Sequence, residues 1–425
     1  MKKILYFFHA MLFTFLIMTG CSDDADVTRP KAELLPLNWD MFNKYKIEKL
    51  INEYGKNSAD YNSSRPPYVV FDWDNTSIFL DIEEAVLIYQ IENLVFGATP
   101  SQLNEAIRKD IESKNFESDY NNLSGGSVNI EKIAPDIIES YTWLYNNYKN
   151  LKGTQTLEDV KKSSHYMAFA SKLRYLYDAI GGTFDHAVSY PWVTYLFVGM
   201  TETEVRTLTK ATIQWQLSQS VGKVIWTTPE DLPGTAGRVS VSWKNGLRFV
   251  PEMQNLYWIF KQNGFDVWVC SASFIDVVKE ISSNPGNGYN LPEDHVFAME
   301  LERDNEGKIK VQFKEGYAQT QGEGKTKTIQ QFLVSKYGYG PIFIAGDSEG
   351  DQNMMKDFED TRLVLIINRL RSPSTDIGQM SKQAVDTYGD ANAKYLLQGR
   401  NDNTGLFTQS QSSYSLGSDK AELLK

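Results

Sequence analysis

The sequence has only two cysteines, a deficit of positive charge and, at its start, an apolar run of limited length. With Cys21 and Cys270 as the only cysteines among 425 residues, no disulfide framework can form. The formal net charge of −11 argues against nucleic acid or an anionic membrane surface as a partner. The apolar run Ile4–Met18 is too short for a comfortable membrane span. Because the chain is acidic, an anionic substrate would need a local positive site supplied by a metal ion, Lys or Arg.

The first residues have the order of a secretory signal. Lys2 and Lys3 precede the apolar run, and Gly20-Cys21 places small residues at its end. The segment Met18–Cys21 resembles the lipobox of bacterial lipoproteins, although Met stands where Leu is usual. That resemblance implies that Cys21 becomes the lipidated first residue of the mature chain. A plain cleaved signal peptide is the alternative.

The acidic segment Ser22–Asp24 resembles the surface-export signals of some Gram-negative lipoproteins. We therefore expect a signal peptide over residues 1–20 and a polar tether over residues 21–35. The expected location is the bacterial outer membrane, on its periplasmic or its outer face. Membrane contact would come only through the lipid at Cys21, which leaves Cys270 without an intramolecular partner.

Two aspartates separated by one residue follow a short run of strand-forming residues. The run Tyr68–Phe71 predicts a buried strand, and Asp72 and Asp74 come directly after it. Because side chains alternate along a strand, both carboxylates can point the same way, about 6–7 Å apart. One of them can then stay ionised as a nucleophile or metal ligand while the other carries a proton. Asp-rich segments also mark ordinary turns, so the later part of the chain must decide between these interpretations.

From Asp81 to about residue 249 the chain is largely helical, and beyond that strands and helices alternate. Three further strand-like runs, Phe265–Cys270, Pro341–Ala345 and Leu363–Ile367, are separated by helical patterns. This rhythm favours a doubly wound, mostly parallel α/β sheet. Residues 239–250 surround an Asn-Gly turn and predict a hairpin.

Polar side chains follow the predicted strands or open a helix. They are Asp72, Asp74, Ser271, Lys325, Asp347 and Asp351. Because ligands bind outside the carboxyl ends of the strands in doubly wound sheets, we expect these groups to converge. Carboxylate oxygens suit Mg²⁺, and the ion together with a lysine would neutralise a phosphate as charge develops on it. The set predicts Mg²⁺-dependent phosphoryl transfer.

In order and spacing, these segments resemble the four motifs of haloacid dehalogenase superfamily phosphatases. The resemblance implies that Asp72 attacks phosphorus and forms an aspartyl-phosphate, with Asp74 as general acid and then general base. It implies phosphate-binding roles for Ser271 and Lys325, with Thr76 orienting the loop. Dehalogenases of this superfamily lack an acid at the position of Asp74 and its transport ATPases carry Thr there, so Asp74 favours phosphoester hydrolysis.

The resemblance also implies a metal site and a domain organisation. Mg²⁺ would be ligated by Asp72, the backbone carbonyl of Asp74, Asp347 and, directly or through water, Asp351. The catalytic core would comprise residues 36–80 and 250–398, with a helical cap at 81–249 inserted after the first core strand. Ser273 could replace Ser271 and Lys327 could replace Lys325, since each lies two residues away. Residues 399–425 are rich in Ser, Gln, Asn and Gly and are predicted to be loosely ordered.

Shorter segments, such as 71–77, 81–84, 190–193 and 288–290, resemble bacterial phosphorylcholine phosphatases. The likeness implies a small amine-bearing phosphomonoester, with phosphoserine as the other substrate in view. A quaternary ammonium could be held by aromatic faces and a carboxylate. The candidates for this role are Glu83, Glu84, Tyr175, Tyr177 and Trp192. The alternative is that these aromatic residues form the core of the cap and that the two glutamates are solvated or cap a helix.

Two other functions fit the same sequence. One is a non-catalytic lipoprotein that binds choline-like amines, and the other is a phosphotransferase of the same fold. The intact Asp72/Asp74 pair argues against the first, and the identity of the phosphoryl acceptor separates the second from a hydrolase.

Overall fold

Strands and helices alternate through the computed structural model, which describes residues 31–425. The predicted signal peptide and Cys21 lie outside the described residues. The strands are β1 Tyr68–Phe71, β2 Ile78–Phe79, β3 Gly222–Thr227, β4 Ser240–Asn245, β5 Arg248–Phe249, β6 Asp266–Phe274, β7 Val296–Met299, β8 Leu301–Arg303, β9 Ile309–Phe313, β10 Phe343–Gly346, β11 Leu363–Ile367, β12 Tyr395–Gln398, β13 Arg400–Asn401, β14 Leu406–Phe407, β15 Ser413–Tyr414 and β16 Ala421–Glu422.

The helices flank these strands along the whole described chain. They are α1 Met41–Tyr54, α2 Ile82–Asn93, α3 Pro100–Arg108, α4 Ile130–Asn147, α5 Leu157–Val160, α6 Ser164–Thr183, α7 His186–Trp192, α8 Glu202–Ser218, α9 Pro251–Gln262, α10 Ile275–Ser283, α11 Glu323–Thr328, α12 Ser335–Tyr337, α13 Gln352–Lys356 and α14 Asp376–Asp386. A π-helical stretch, Ile329–Val334, joins α11 to α12. Within residues 31–425, no helix has both the length and the apolar character needed to cross a membrane.

In the described chain, six strands form one sheet in the order β12-β11-β10-β1-β6-β7. Every neighbouring pair in it is parallel, and β1 lies between β10 and β6. The predicted α/β architecture with a parallel sheet is confirmed, and it is consistent with a Rossmann-like core. The predicted strand at 265–270 continues to Phe274, and β7 joins the sheet beside β6, while β8 pairs antiparallel with β9.

Helices cover both faces of the sheet, which explains why its strands are apolar at consecutive positions. Along β1, Val69 and Phe71 face a core that includes Leu50 of α1 and Phe260 of α9. The alternate residues of β1 face a second core, to which α13 and α14 contribute. Because only the ends of such strands reach solvent, polar residues that follow a strand are held at its rim.

The long insertion between β1 and β6 leaves and returns through one short pair of strands. β2 pairs antiparallel with β5, with Ile78 opposite Phe249 and Phe79 opposite Arg248. Between them lie α2 to α8 and the antiparallel pair β3–β4. The predicted hairpin over 239–250 is wrong, because β4 pairs with β3 and β5 with β2. The physical reason lies at the turn, where the amide oxygen of Gln216 accepts the backbone N–H groups of Gly246 and Leu247 at 2.9 and 3.2 Å.

Residues at both ends of the described chain pack onto this body. Ala32 and Leu34, in the predicted tether, are buried, and their N–H groups donate to Asn52 and Glu48 of α1 at 2.9 and 2.8 Å. At the other end β13 to β16 form a four-stranded sheet within the described residues, in the order β14-β13-β15-β16. We call residues 400–422 the C-terminal sheet.

The C-terminal sheet corrects the prediction of a loosely ordered tail. Its polar groups are satisfied within the protein: Ser413 accepts from the N–H of Arg400 at 2.9 Å and donates to the carbonyl of Asn368 at 2.6 Å. Its apolar anchor is Phe407, which packs edge-on against Trp39 with ring centroids 5.4 Å apart. A polar composition predicts disorder only when those groups have no such partners.

Candidate active site

The loop after β1 carries the two predicted catalytic aspartates. The N–H of Asp72 donates to the carbonyl of Ala345 at 2.9 Å, which extends the parallel pairing by one residue beyond β1. The chain then turns at Asn75, whose φ of +60° lies in the left-handed region that Asn tolerates. Ser77 anchors the loop, because its hydroxyl donates to the carbonyl of Asp72 at 2.6 Å. Asp72 is therefore fixed at the carboxyl rim of the central strand.

Three buried carboxylates meet at this rim. Asp72, Asp347 and Asp351 each place one oxygen within 4.8 Å of the others. Thr76 Oγ1 lies 2.9 Å from both Asp72 Oδ2 and Asp347 Oδ1 and can donate its proton to either. The predicted convergence of residues that lie 270 or more positions apart is thus seen in the geometry, although their roles remain predictions.

Lys325 lies among these carboxylates. Its ammonium nitrogen is 2.6 Å from Asp72 Oδ1 and 2.6 Å from Asp351 Oδ1, and its side chain is 2% exposed. Lys327, the alternative, is 66% exposed and pairs with Glu323 at 3.2 Å on the same helix. The geometry therefore places Lys325, and not Lys327, beside Asp72 and Asp351.

Asp351 also holds the loop that carries Asp347. Its Oδ2 accepts the backbone N–H groups of Asp347 and Ser348, both at 3.0 Å. One of its oxygens thus orients the loop, and the other faces Lys325. Because it lies four residues after Asp347, Asp351 can reach back to the backbone N–H of Asp347.

Asp74 has its own set of partners. Its Oδ1 accepts the N–H of Ile82 at 2.7 Å, and its Oδ2 accepts the hydroxyl of Ser273 at 2.7 Å. The Ser271 hydroxyl is farther, at 3.4 Å, and accepts the N–H of Ser273 at 3.1 Å. Ser271 is fully buried, whereas Ser273 lines the cavity described below. The alternative serine is thus the one that faces the cavity.

Burial sets the protonation of these groups. It raises the pKa of Asp74 to about 6, against the opposing effect of the Ser273 hydrogen bond. Burial also raises the pKa of Asp72 well above its usual value; Asp351 adds to that shift and Lys325 opposes it. A carboxyl whose pKa is raised toward neutral pH suits a general acid, while Asp72 needs a cation beside it to ionise.

Two arginines that the sequence reasoning missed complete the positive side of the site. Arg369 Nη1 lies 2.5 Å from Asp347 Oδ2, and Arg371 Nε donates to the carbonyl of Asp347 at 3.1 Å. Burial opposes the ionisation of Asp347, but Arg369 and Arg371 outweigh it and hold its pKa below the usual value. Both arginines lie in the loop that follows β11, so the rule that polar groups after a strand reach the rim would have found them.

A cavity of about 620 Å³ opens above the aspartates, between the sheet rim and the insertion. One side carries the cationic groups Lys325, Arg369 and Arg371. The other side comes from the insertion and is acidic and aromatic: Asp81, Glu83, Glu84, Tyr120, Tyr177, Asp178, Ser189 and Tyr190. Ser189 is 5% exposed, and its hydroxyl has no hydrogen-bond partner in the described protein. The cavity is therefore lined by carboxylates and cations from the sheet rim and by carboxylates and aromatic rings from the insertion.

Of the five residues predicted to hold an amine, three line this cavity and two do not. Glu83, Glu84 and Tyr177 line it, and Glu84 forms an ion pair with Arg174. Tyr175 and Trp192 are buried inside the insertion, where the Tyr175 hydroxyl donates to the carbonyl of Tyr120 and Trp192 Nε1 to that of Ile107. Their placement corrects the expectation that they face a ligand: the buried side of a helix accommodates aromatic rings as packing.

The donor set fits a divalent metal ion. Asp72, Asp347 and Asp351 supply buried, hard oxygen ligands close to one another, which is the chemistry that Mg²⁺ prefers. The three carboxylates could bind a metal, and such an ion would lower the pKa of Asp72.

Comparison with solved structures gives an extensive match. The chain is similar to a conserved protein of unknown function from Anaerococcus prevotii DSM 20548, with 35% sequence identity and a TM-score of 0.85, over 91% of this chain and 99% of that chain. No protein-family model and no curated protein matches the chain.

Two further structures match at 10% identity. A phosphoserine phosphohydrolase-like protein from Francisella tularensis subsp. tularensis SCHU S4 has a TM-score of 0.33 over 71% of this chain and 87% of that chain. A protein of unknown function from Bordetella pertussis Tohama I has a TM-score of 0.38 over 77% of this chain and 97% of that chain. Structural similarity this low does not define the fold or the function of this chain.

Proposed function

We propose a phosphatase function for this chain, which belongs to the same family as the Anaerococcus prevotii protein of unknown function. The proposed reaction is Mg²⁺-dependent hydrolysis of a small phosphomonoester, as the resemblance to haloacid dehalogenase superfamily phosphatases implies. One observation carries the proposal: Lys325 bridges Asp72 and Asp351 at 2.6 Å, beside Asp347 and within reach of the Asp74 loop. A buried lysine among carboxylates at a cavity floor suits a group that brings its own negative charge.

In the first step, an oxygen of Asp72 attacks phosphorus in line, and the bond from phosphorus to the ester oxygen breaks. Asp74 donates its proton to the departing alkoxide, which leaves as an alcohol, and Asp72 carries the phosphoryl group. In the second step, Asp74 takes a proton from water as the water oxygen attacks the same phosphorus. The bond from phosphorus to the Asp72 oxygen breaks, inorganic phosphate leaves, and both aspartates return to their starting state.

Several residues prepare this reaction. A Mg²⁺ ion held by Asp72, Asp347 and Asp351 would neutralise negative charge on the transferring group. Lys325 would bind a phosphoryl oxygen, and Ser273 would hold Asp74 in position through the 2.7 Å hydrogen bond. The pKa of about 6 lets Asp74 keep its proton closer to neutral pH than an ordinary aspartate does.

The finer proposal is a substrate with a cationic amine, such as phosphorylcholine or phosphoserine. It is supported by the acidic and aromatic side of the cavity, where Asp81, Glu83 and Asp178 lie with Tyr120 and Tyr177. Aromatic faces attract a quaternary ammonium by roughly 0.5–2 kcal/mol each, and a buried carboxylate favours a positive partner. The phosphate would lie beside Lys325, and the amine would lie among the carboxylates and aromatic rings of the insertion.

The proposal also gives roles to the insertion and to the N-terminal residues. Residues 81–249 would act as a cap that excludes water and selects the leaving group. The enzyme would be exported and held at the membrane by a lipid on Cys21, an inference that rests on the sequence of its first residues.

The deciding experiment is a substrate panel. The purified protein is assayed for phosphate release from phosphorylcholine, phosphoserine and uncharged alkyl phosphates of similar size, with Mg²⁺ and with EDTA. We expect metal-dependent release and a higher kcat/KM for the amine esters. If no ester gives metal-dependent phosphate release, the phosphatase proposal is wrong. If charged and uncharged esters react at equal rates, the proposed preference for an amine is wrong. Calorimetric amine binding without hydrolysis would point to a binding protein, and a phosphorylated alcohol acceptor among the products would point to a phosphotransferase.

A further inference from the structure

Arg400, the first residue of the C-terminal sheet, contacts the loop that carries Asp72 and Asp74. Its side chain has no exposed surface. Arg400 Nη1 donates to the carbonyl oxygen of Asn75 at 3.0 Å, and Nη2 donates to Asn75 Oδ1 at 3.3 Å. A guanidinium that donates to both the backbone and the side chain of one residue fixes the orientation of that residue as well as its position.

Asn75 is the residue at which the catalytic loop turns. It follows Asp74 directly, has a φ of +60°, and its N–H donates to the carbonyl of Leu80 at 3.0 Å. A change in the peptide between residues 74 and 75 would redirect the carboxylate of Asp74. It would also move the backbone carbonyl of Asp74, which the sequence resemblance assigns to the metal. The contact of Arg400 is therefore made at the residue next to Asp74.

Arg400 is itself held from several sides. Its Nε donates to Asp402 Oδ1 at 2.8 Å, and its guanidinium lies over the ring of Phe79 in β2, 4.8 Å from the ring centroid. Asp402 Oδ2 lies 3.7 Å from the ammonium of Lys244 in β4, part of the insertion. A Cβ added at Gly405 would lie 2.6 Å from the Phe79 ring, so the C-terminal sheet packs closely on β2. The segment thus contacts the catalytic loop, the β2–β5 junction and the insertion.

A purely structural role would predict a different set of bonds. A buried arginine that served only to stabilise the C-terminal sheet would direct its donors to that sheet, because desolvating a charge is costly unless nearby groups satisfy it. Here one nitrogen bonds within the sheet, to Asp402, and the other two bond to Asn75. More of the side-chain donors of Arg400 bond to the loop that carries Asp72 and Asp74 than to the C-terminal sheet.

We propose that Arg400 is a positioning residue, through which the C-terminal sheet holds the Asp72–Leu80 loop in its working geometry. Its role in turnover rests on the proposed phosphatase function, but its role in holding the loop does not. Small displacements of a reacting group cost about 10²-fold in rate. The effect of losing Arg400 should therefore fall on kcat and leave the KM for the phosphate ester little changed.

The test compares three variants of the full chain. Arg400→Met removes the bonds to Asn75, Arg400→Lys keeps the charge with fewer donors, and Phe407→Leu weakens the same sheet through its contact with Trp39. We expect Arg400→Met to lower kcat by about 30–100-fold with KM within about twofold, and Arg400→Lys to recover part of that loss. Phe407→Leu should leave kcat within about twofold of the wild type, because it trims only the contact with Trp39 and leaves the three side-chain hydrogen bonds of Arg400, which it pairs with through the backbone, in place.

Hydrogen–deuterium exchange gives a second measurement that does not depend on activity. In Arg400→Met we expect faster exchange in peptides that cover residues 72–80, where the N–H groups of Asn75 and Ser77 bond within the loop, and no such change in Phe407→Leu. Unchanged exchange over this loop in Arg400→Met would overturn the inference. Equal losses of kcat in Arg400→Met and Phe407→Leu would do the same. If the wild type hydrolyses no ester, the phosphatase proposal fails, and the exchange data alone decide whether Arg400 holds the loop.

Discussion

The ammonium of Lys325 lies 2.6 Å from Oδ1 of Asp72, and both side chains are buried at the carboxyl rim of the central strand. Buried opposite charges at this distance stabilise each other's ionised forms, whereas either one alone would be costly to keep charged. Burial lowers the pKa of a lysine, but Asp351 and Asp72 more than compensate and raise that of Lys325 above its usual value. Lys325 therefore stays cationic, as the proposed contact with a phosphoryl group on Asp72 requires.

Replacing Lys325 should remove most of the activity. We expect Lys325→Met to lower kcat/KM by about 10²–10³-fold, because a preorganised cation is lost where negative charge collects. The matched control is Lys327→Met, which removes an exposed lysine from the same helix and should keep activity within about twofold. Steady-state rates on one ester suffice, with circular dichroism to confirm that both variants fold. Similar rates for the two variants would contradict the assignment.

The role of Asp74 predicts a pH profile that depends on the leaving group. Its pKa is raised to about 6, so the protonated form persists to higher pH than for an ordinary aspartate and is lost as the pH rises through about 6. For an alkyl phosphate, which needs the proton, kcat/KM should fall about tenfold per pH unit above that point. For p-nitrophenyl phosphate, whose leaving group needs no proton, the fall should be absent. Parallel profiles for the two esters would remove Asp74 from the acid role.

Ser273 and Ser271 can be separated in the same assay. The hydrogen bond from Ser273 lowers the pKa of Asp74, so Ser273→Ala should raise that pKa and move the alkaline limb of the alkyl phosphate profile to higher pH. Ser271→Ala should move the limb less, since its hydroxyl lies 3.4 Å from Asp74. A larger shift in Ser271→Ala than in Ser273→Ala would reverse the assignment.

The sequence predicted the convergence of carboxylates at the sheet rim because one physical rule governs the ends of the strands. Parallel strands buried on both faces expose only their ends, so Asp72 and Asp347 could be placed together although they are distant in sequence. Lys325 lies at the start of α11 and falls outside this rule. The same rule applied to the end of β11 would have included Arg369. It could not choose between Ser271 and Ser273, because that choice depends on how β6 continues and bulges between Cys270 and Phe274.

The predictions failed where contacts between segments distant in sequence decide which side chains are buried and which segments are ordered. Tyr175 and Trp192 lie on helices of the insertion, and a helical pattern in a single sequence does not tell which face meets a cavity and which meets another helix. Arg400 lies in a segment whose polar composition predicts disorder. Its partners, Asn75 and Asp402, become visible only once the C-terminal sheet packs on the catalytic loop.

Detection of a phosphoryl group on Asp72 tests the central claim most directly. The protein is mixed with a phosphomonoester and Mg²⁺, quenched in acid within the first turnover, and digested for mass spectrometry after the acyl phosphate is reduced. The account predicts that the peptide containing residues 68–81 carries a modification at Asp72, and that Asp72→Asn, with an unchanged circular dichroism spectrum, neither carries it nor releases phosphate. Release of phosphate by Asp72→Asn at the wild-type rate, or a modification trapped on another residue, would contradict it.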